Sequence, residues 1–413
     1  MKEIFEKASC RVCTKVVLKK VLTLGPTPLA NAFLTKEQTN EGEKFYPLDV
    51  YFCTNCGFLQ LRHVVSPQLL FENYLYVSST SKIFIKHFEQ FANKVYKRLH
   101  LNSDSFVIDI GSNDGILLKP YKKLGTKVLG IEPAVNIAKI AKSEGIDTLS
   151  DYFSKKLAHS AVKKYGKADV VTATNVFAHI DNLDEVVEGL KILLKDTGVF
   201  IIEAPYVIDF LQKRYFDLVY HEHLSYWSVD ALITLFKRFN MTVFHVEKVQ
   251  VHGGTIRIFV KKENNKLPVD KSVKKFLVKE KKMNLKDIDT YLEYAKKIYE
   301  NKVKLLLLLE KIKSRGKTIA AYGAPAKGNT LLNFFSIGTE TLDFVVDDSK
   351  FKQGLYTPGK HIPVVSSQQL YTKKPDYVLI LAWNFAESII QMHKKYQETG
   401  GKFILPVPNP KIV

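Results

Sequence analysis

Apolar and polar positions alternate along this chain at two periods, and the switch from one to the other marks its elements. Short apolar runs rich in β-branched residues fall at 106–110, 127–131, 168–174 and 198–204 and read as buried strands. Between them, at 133–144, 154–164 and 183–194, apolar residues recur at the spacing of an amphipathic helix. Another helix at 229–238 precedes two strand-like runs, 241–250 and 255–261, joined through Val251-His252-Gly253-Gly254. Strand and helix in alternation predict a doubly wound parallel α/β sheet, here closed by an antiparallel hairpin. Upstream, 83–99 is helical, and 26–34 and 45–52 belong to a small β-rich module. Downstream, the lysine-rich stretch 266–313 reads as a helical connector packed on both neighbours. Strands at 318–322, 341–346 and 377–382 then predict a second Rossmann-like α/β unit. The chain divides accordingly into 1–80, 81–264 and 265–413.

Composition narrows the class. At 413 residues, 46% hydrophobic and 25% charged, the chain has the make-up of a soluble globular protein of two or three domains. No apolar run reaches the length of a membrane span, 305–309 being a short patch in a charged helix. The first ten residues lack a signal-peptide core, so a cytoplasmic monomer is expected, without a membrane partner. A formal charge of +19 invites a nucleic-acid reading. The lysines are scattered over helical faces at 271–282 and 296–304, and there is no RNP-like aromatic motif or arginine-rich stretch. The excess therefore suits a solvated surface and an anionic substrate, and no nucleic-acid partner is expected.

All four cysteines lie in the first 56 residues, as Cys10-Arg11-Val12-Cys13 and Cys53-Thr54-Asn55-Cys56-Gly57. Two CxxC pairs in a reducing compartment point to tetrahedral zinc, with disulfides as the alternative. No further ligand is evident, so the metal is structural.

The first strand of the central sheet runs into Asp109-Ile110-Gly111-Ser112-Asn113-Asp114-Gly115, and the second ends at Glu132. Gly111 and Gly115 let the backbone turn sharply and approach a ligand. The dinucleotide fingerprint is interrupted, and Asp114 disfavours a pyrophosphate in that turn. A cationic nucleoside such as S-adenosylmethionine tolerates an acidic turn, with Glu132 accepting from two ribose hydroxyls. Asp151, Tyr152 and Phe153 follow the third strand position, where adenine could stack. Asn175 opens the turn after the fourth strand. A parallel sheet ending in an antiparallel hairpin is the layout of class I methyltransferases rather than of a plain Rossmann oxidoreductase.

Two further segments follow strand carboxyl ends, where such a sheet binds its ligand. One is Asn175-Val176-Phe177-Ala178-His179. The other is an insertion at 205–228 that contains Tyr220-His221-Glu222-His223-Leu224-Ser225-Tyr226. That many polar rings and acids are costly to bury without purpose. A structural hydrogen-bond cluster is the bland alternative, and His-x-His lacks the i, i+4 spacing of hydrolytic zinc sites. Upstream, Tyr74-Leu75-Tyr76 either flanks a strand or lines a cleft. In the second unit, Tyr322-Gly323-Ala324-Pro325-Ala326-Lys327-Gly328-Asn329 opens a helix and makes a phosphate seat without Walker spacing. Asp347 and Lys352 follow the next strand and could bracket the same ligand.

Taken together, the paired CxxC motifs, Tyr74-Leu75-Tyr76, 109–115, 175–179, 220–223, His252-Gly253-Gly254 and 323–329 resemble the three-domain S-adenosylmethionine-dependent sugar C-methyltransferases of deoxysugar biosynthesis. The run 347–363, with Gln353-Gly354, Pro358-Gly359 and Ile362-Pro363, resembles that family's C-terminal domain. The resemblance implies a zinc module, a central methyltransferase domain and a terminal domain helping to hold a nucleotide-linked sugar. It implies cleft residues at His179, Tyr220, Glu222 and His223, with His223 in the base position. The implied substrate is a nucleotide-linked 4-keto deoxysugar methylated on the neighbouring carbon. Tyr74 and Tyr76 join the expected catalytic set; Asp109, Gly111, Asn113, Asp114, Gly115, Glu132, Asp151, Tyr152, Phe153 and Asn175 are the expected cofactor contacts. Tyr322, Lys327, Asn329, Asp347, Lys352 and His252 are the expected substrate contacts, and Cys10, Cys13, Cys53 and Cys56 the zinc ligands. A zinc-containing RNA methyltransferase and a non-catalytic nucleotide-binding scaffold are the rival readings. Glu222 and His179 compete with His223 for the proton.

Overall fold

The computed structural model describes residues 3–71, 77–80, 82–250 and 253–413. Tyr74, Tyr76 and His252 lie outside the described residues. The central sheet has seven strands in the spatial order Met241–Val249, Thr255–Lys262, Leu194–Pro205, Ala168–Thr174, Phe106–Ile110, Lys127–Ile131, Thr148–Leu149. The last five are parallel; Thr255–Lys262 runs antiparallel to both its neighbours, so Met241–Val249 shares the direction of the five, and the two form the predicted closing hairpin. Strand Phe106–Ile110 is buried along its whole length, which is why it reads as a continuous apolar run. Helix Leu183–Leu193 starts where Asn182 accepts from the Glu185 amide, with Asp184 and Glu185 facing the positive end of the helix dipole.

The second unit is a six-stranded sheet whose first five strands, Val364–Val365, Val345–Val346, Ile319–Tyr322, Tyr377–Ile380 and Lys402–Leu405, are parallel. The expected strand at 341–346 shrinks to two residues, because the amides of Thr341 and Leu342 turn back onto the Gly338 carbonyl. The connector is two helices, Lys271–Lys282 and Ile288–Lys313. Asn284 adopts a left-handed conformation just past the first, and Asp287 caps the second through the Asp289 amide. The longer helix packs on all three parts of the chain. Tyr291 meets Phe52 at 5.0 Å, Tyr294 meets Phe210 at 5.0 Å, and Asn301 donates to the Pro406 carbonyl at 3.0 Å. Among the described residues no helix is long and apolar enough to cross a membrane.

The N-terminal module is an antiparallel sheet of Leu18–Thr27, Tyr46–Cys53 and Leu59–Leu61. Its fourth strand comes from elsewhere: Ser225–Tyr226, directly after the Tyr220 to His223 run, pairs with Gln60 and Leu59. The cysteines gather at the turn between its second and third strands. Sγ of Cys10 and Cys56 lie 3.6 Å apart and those of Cys13 and Cys53 3.5 Å apart, with all four within 4.8 Å of one another. Tetrahedral zinc with sulfur at about 2.3 Å spaces its ligands by about 3.8 Å, whereas a disulfide needs about 2.05 Å. The four thiols therefore fit a zinc ion and not two disulfides. The Val12 amide points at Cys10 Sγ at 3.4 Å, the hydrogen bond a thiolate ligand attracts.

Elemental analysis of protein purified without chelator should find about one zinc per chain. Stripping it should lower the melting temperature and the catalytic activity together, because the metal-pinned sheet carries strand Ser225–Tyr226. Full activity in a metal-free protein would contradict this.

Candidate active site

Two turns meet at the carboxyl ends of adjacent strands. Gly111 has φ +67°, and a Cβ there would collide with Val176 of the opposite turn, so only glycine fits. Asn113 and Asn175 also take left-handed conformations, at φ +49° and +57°. Such conformations cost about 1–3 kcal/mol and persist where the fold over-determines them. Asn113 is held on both sides: its amide donates to Glu132 Oε2 at 2.9 Å, and its Oδ1 accepts from the Ser78 amide at 2.9 Å. Glu132 Oε1 accepts from the Ala134 amide at 2.9 Å. Each oxygen of Glu132 thus already carries one backbone hydrogen bond, which the sequence could not foresee, and each keeps a second lone pair for a ligand hydroxyl.

The cofactor test falls on the neighbouring acids. Asp114 is completely buried in the turn with neither carboxyl oxygen hydrogen-bonded, its nearest cation being Lys119 at 3.8 Å. A buried carboxylate without partners is costly, and a positively charged nucleoside would offset that cost. Asp109 sits beneath the turn, accepts from Thr172 at 2.5 Å, and is pushed up to about 7 by burial. The residues present fit S-adenosylmethionine and could hold it through 109–115 and Glu132. The expected adenine segment is divided: Asp151 and Tyr152 are exposed, while the ring tip of Phe153 lies where a Cβ on Gly189 would come within 3.0 Å.

The Tyr220 to Tyr226 run splits into two faces. His221 is buried, its Nε2 at 3.2 Å from the Tyr46 carbonyl, and burial lowers it to about 4. Glu222 is buried too, with Oε1 accepting from Asn31 Nδ2 at 2.6 Å and burial raising it to about 7. His221 and Oε1 of Glu222 are thus bonded to the zinc module. Tyr220 and His223 face the central sheet, with ring centres 3.9 Å apart, and His223 stacks on His179 at 5.1 Å. His179 stacks in turn on Phe71 at 5.9 Å and is lowered to about 4 by desolvation. His223 Nδ1 lies 2.7 Å from the Leu218 carbonyl. A carbonyl only accepts, so Nδ1 carries the hydrogen and the basic lone pair of the neutral ring falls on Nε2. The orienting partner of His223 is thus a backbone carbonyl. Among the described residues only the four cysteines gather as metal ligands, so the histidines do not form a second metal site there.

The C-terminal crevice is more engaged than the motif implies. Lys327 bonds Asn384 Oδ1 and lies 3.6 Å over the ring of Trp383, whose Nε1 donates to buried Asp217 of the insertion, so that the acid's charge reaches the lysine. Burial pushes the lysine down and the acid up, each held back by the other. Four expected substrate contacts are instead used internally. Asn329, 1% exposed, donates to the Ala30 carbonyl at 2.7 Å. Tyr322 donates to Asp348 at 2.7 Å, and Asp347 accepts from the Ala324 and Ser349 amides at 2.7 and 2.9 Å. Lys352 donates to the Ala324 carbonyl at 2.8 Å and sits 5.3 Å over Phe33. Sequence reasoning missed Asn31, Leu218 and Asp217. Asn31 lies in a turn and Asp217 and Leu218 in the single-turn helix Phe216–Leu218, where only the fold brings them to a motif residue.

A seven-stranded sheet in this order, with a glycine turn and a strand-end acid, defines a class I methyltransferase that uses S-adenosylmethionine. Comparison with known proteins narrows the class. Family models described as a zinc binding domain, a methyltransferase domain and a C-methyltransferase C-terminal domain match residues 10–71, 84–246 and 250–408. The C-methyltransferase NovU of Streptomyces niveus is 35% identical over 404 residues, 98% of this chain and 96% of that protein. The chain belongs to this C-methyltransferase family, and its cofactors are S-adenosylmethionine and zinc. A ubiquinone biosynthesis O-methyltransferase of Rhodopseudomonas palustris is 29% identical over 98 residues, 23% of this chain and 38% of that one. Among solved structures, an S-adenosylmethionine-dependent methyltransferase of Clostridium acetobutylicum covers 43% of this chain and 92% of its own, at 13% identity and a TM-score of 0.34.

Glu132→Gln replaces an acceptor with a donor opposite two backbone amides and leaves one buried amide unpaired. That costs about 1–3 kcal/mol. Calorimetry with S-adenosylhomocysteine should show affinity falling about tenfold or more. Unchanged affinity would place the cofactor elsewhere.

Proposed function

We propose that this C-methyltransferase acts on the carbon beside the ketone of a nucleotide-linked keto deoxysugar, C3 of a 4-keto sugar, through an enolate. The observation that carries the reading is the hydrogen bond from His223 Nδ1 to the Leu218 carbonyl, which makes Nε2 the basic atom of a ring packed between Tyr220 and His179. Bound S-adenosylmethionine supplies an electrophilic methyl group. Carbon is a poor nucleophile, so a proton must first leave the position next to the carbonyl. Neutral imidazole takes that proton at Nε2 with little tuning. Tyr220 donates to the developing enolate oxygen, and His179, kept neutral by burial, supports it without adding a competing cation. One such donor is typically worth about 3 kcal/mol. Glu222, poised near neutrality, shares the proton after His223 receives it.

The sugar part of this reading rests on the resemblance in motifs, and on a crevice fit for an anion beside a methyl-transfer site. The turn at 323–329 opens helix Ala326–Phe335 at strand carboxyl ends, where nucleotides bind in such sheets. Lys327 and Lys352 lie at that turn, held by Asn384 and by the Ala324 carbonyl. Closing that unit over the nucleotide excludes water and aligns carbon with methyl.

His223→Asn should keep the shape of the site and cut turnover by about 10² to 10⁴ against nucleotide-linked keto sugars. It should also abolish deuterium exchange at the carbon beside the ketone, followed without methyl transfer. A stabiliser of the enolate would only slow that exchange. Exchange at the wild-type rate would put the base on another residue, and no turnover of any nucleotide-linked keto sugar by the wild type would remove the substrate class.

A further inference from the structure

We propose that Asn31, carried by the zinc module, is a positioning residue for methyl transfer: its side-chain amide donates to Oε1 of Glu222 and fixes Oε2 as the oxygen that takes up and releases the proton. The inference rests on Glu222 sharing the proton in the reaction proposed above.

The geometry is specific. Glu222 is 4% exposed, and its Oε1 lies 2.6 Å from Asn31 Nδ2, a short bond of the kind an ionised acceptor makes. An amide nitrogen only donates, so the proton of the neutral acid cannot sit between the two atoms and belongs on Oε2. Burial pushes Glu222 up to about 7, and the Asn31 bond pulls it back by favouring the ionised form. The other titratable groups of its segment have partners of their own. His221 is turned to the Tyr46 carbonyl and neutral, His223 is tied to Leu218, and Tyr220 packs on His223. The turn that carries Asn31 presents no charged side chain there, so among the described residues the amide is the one group that tunes Glu222 apart from burial.

That turn is itself held from the far side. Ala32 and Phe33 donate to the Leu29 and Asn31 carbonyls at 3.0 Å each, closing it. The Ala30 carbonyl accepts from Asn329 of the C-terminal unit at 2.7 Å, and Leu34 and Tyr356 exchange backbone hydrogen bonds of 3.0 and 2.8 Å. Three parts of the chain thus converge on one carboxyl: the module supplies the donor, the insertion the acid, and the C-terminal unit the backing. This explains why Asn329, sited in a phosphate-seat motif, is spent on a backbone carbonyl.

The test compares pH profiles of kcat for wild type, Asn31→Ala, Glu222→Gln and the double variant, with zinc content and circular dichroism as controls. Glu222 must be ionised to accept the proton, and Asn31 favours the ionised form. Losing the amide therefore raises the carboxyl's pKa and moves the acid limb of the profile toward higher pH. Asn31→Ala should cut kcat at neutral pH about tenfold and shift that limb up by about one unit, with KM for S-adenosylmethionine unchanged. Glu222→Gln should leave only the limb set by His223, which replacing Asn31 no longer moves, and the double variant should be no slower than Glu222→Gln alone. Asn31→Ser keeps a shorter donor and should show the same shift at smaller size, which preserves the test if Asn31→Ala fails to fold. A limb that stays in place in both Asn31 variants, while Glu222→Gln loses activity, overturns the role of Asn31. Wild-type turnover in Glu222→Gln overturns the proton role of Glu222 itself.

Discussion

Two residues, Ser225 and Tyr226, hold the arrangement together by lying as an edge strand on a sheet that belongs to another part of the chain. A strand this short does not hold itself in place. It is fixed because Leu61 donates to the Leu224 carbonyl at 3.0 Å, His221 bonds the Tyr46 carbonyl, and Trp227 is buried 5.0 Å from Phe58. Everything N-terminal to it in the insertion, Tyr220 through His223, inherits that placement. The turn between the second and third strands of the same sheet is gathered by four thiols. Zinc therefore acts mechanically, stiffening the surface against which the polar cluster is laid.

The two α/β units share a brace. In the central one, Glu132 accepts from the amide of Asn113 in the glycine turn and from the amide two residues beyond itself. In the C-terminal one, Asp347 does the same with Ala324 and Ser349. An acid at the end of the second strand thus locks the turn after the first by accepting from two backbone amides. The consequences differ because of the neighbours. The central turn adds a buried Asp114 whose oxygens accept no hydrogen bond. The C-terminal turn is filled by its own side chains, with Lys352 on the Ala324 carbonyl and Lys327 drawn onto Trp383.

Much of this was legible in the chain, for identifiable reasons. The order of the central sheet follows from buried parallel strands that read as continuous apolar runs, and from handed crossovers that leave few topologies. The cysteine pairs announced themselves because thiolate ligation of zinc needs that local spacing. The break at 283–287 was less legible: a lysine-rich amphipathic pattern runs across it, and the left-handed Asn284 and the cap at Asp287 decide the matter. Nor did order along the chain reveal which neighbour each residue of the Tyr220 to His223 run would face. Successive side chains in an irregular segment have no fixed period.

What the sequence determined by itself were the properties set by local spacing: the elements, the glycine turns, the thiol cluster and the presence of a titratable group near neutral pH. What only the tertiary structure decided was which nitrogen of His223 is basic, which oxygen of Glu222 is occupied, and that Asn31 and Asn329 serve the same carboxyl from two sides. Those outcomes depend on hydrogen bonds between residues far apart in the chain: 191 positions for Asn31 and Glu222, 299 for Asn329 and Ala30. A hydrogen bond has a direction and a length but leaves no period in the sequence, so it becomes visible only once packing has brought its partners together.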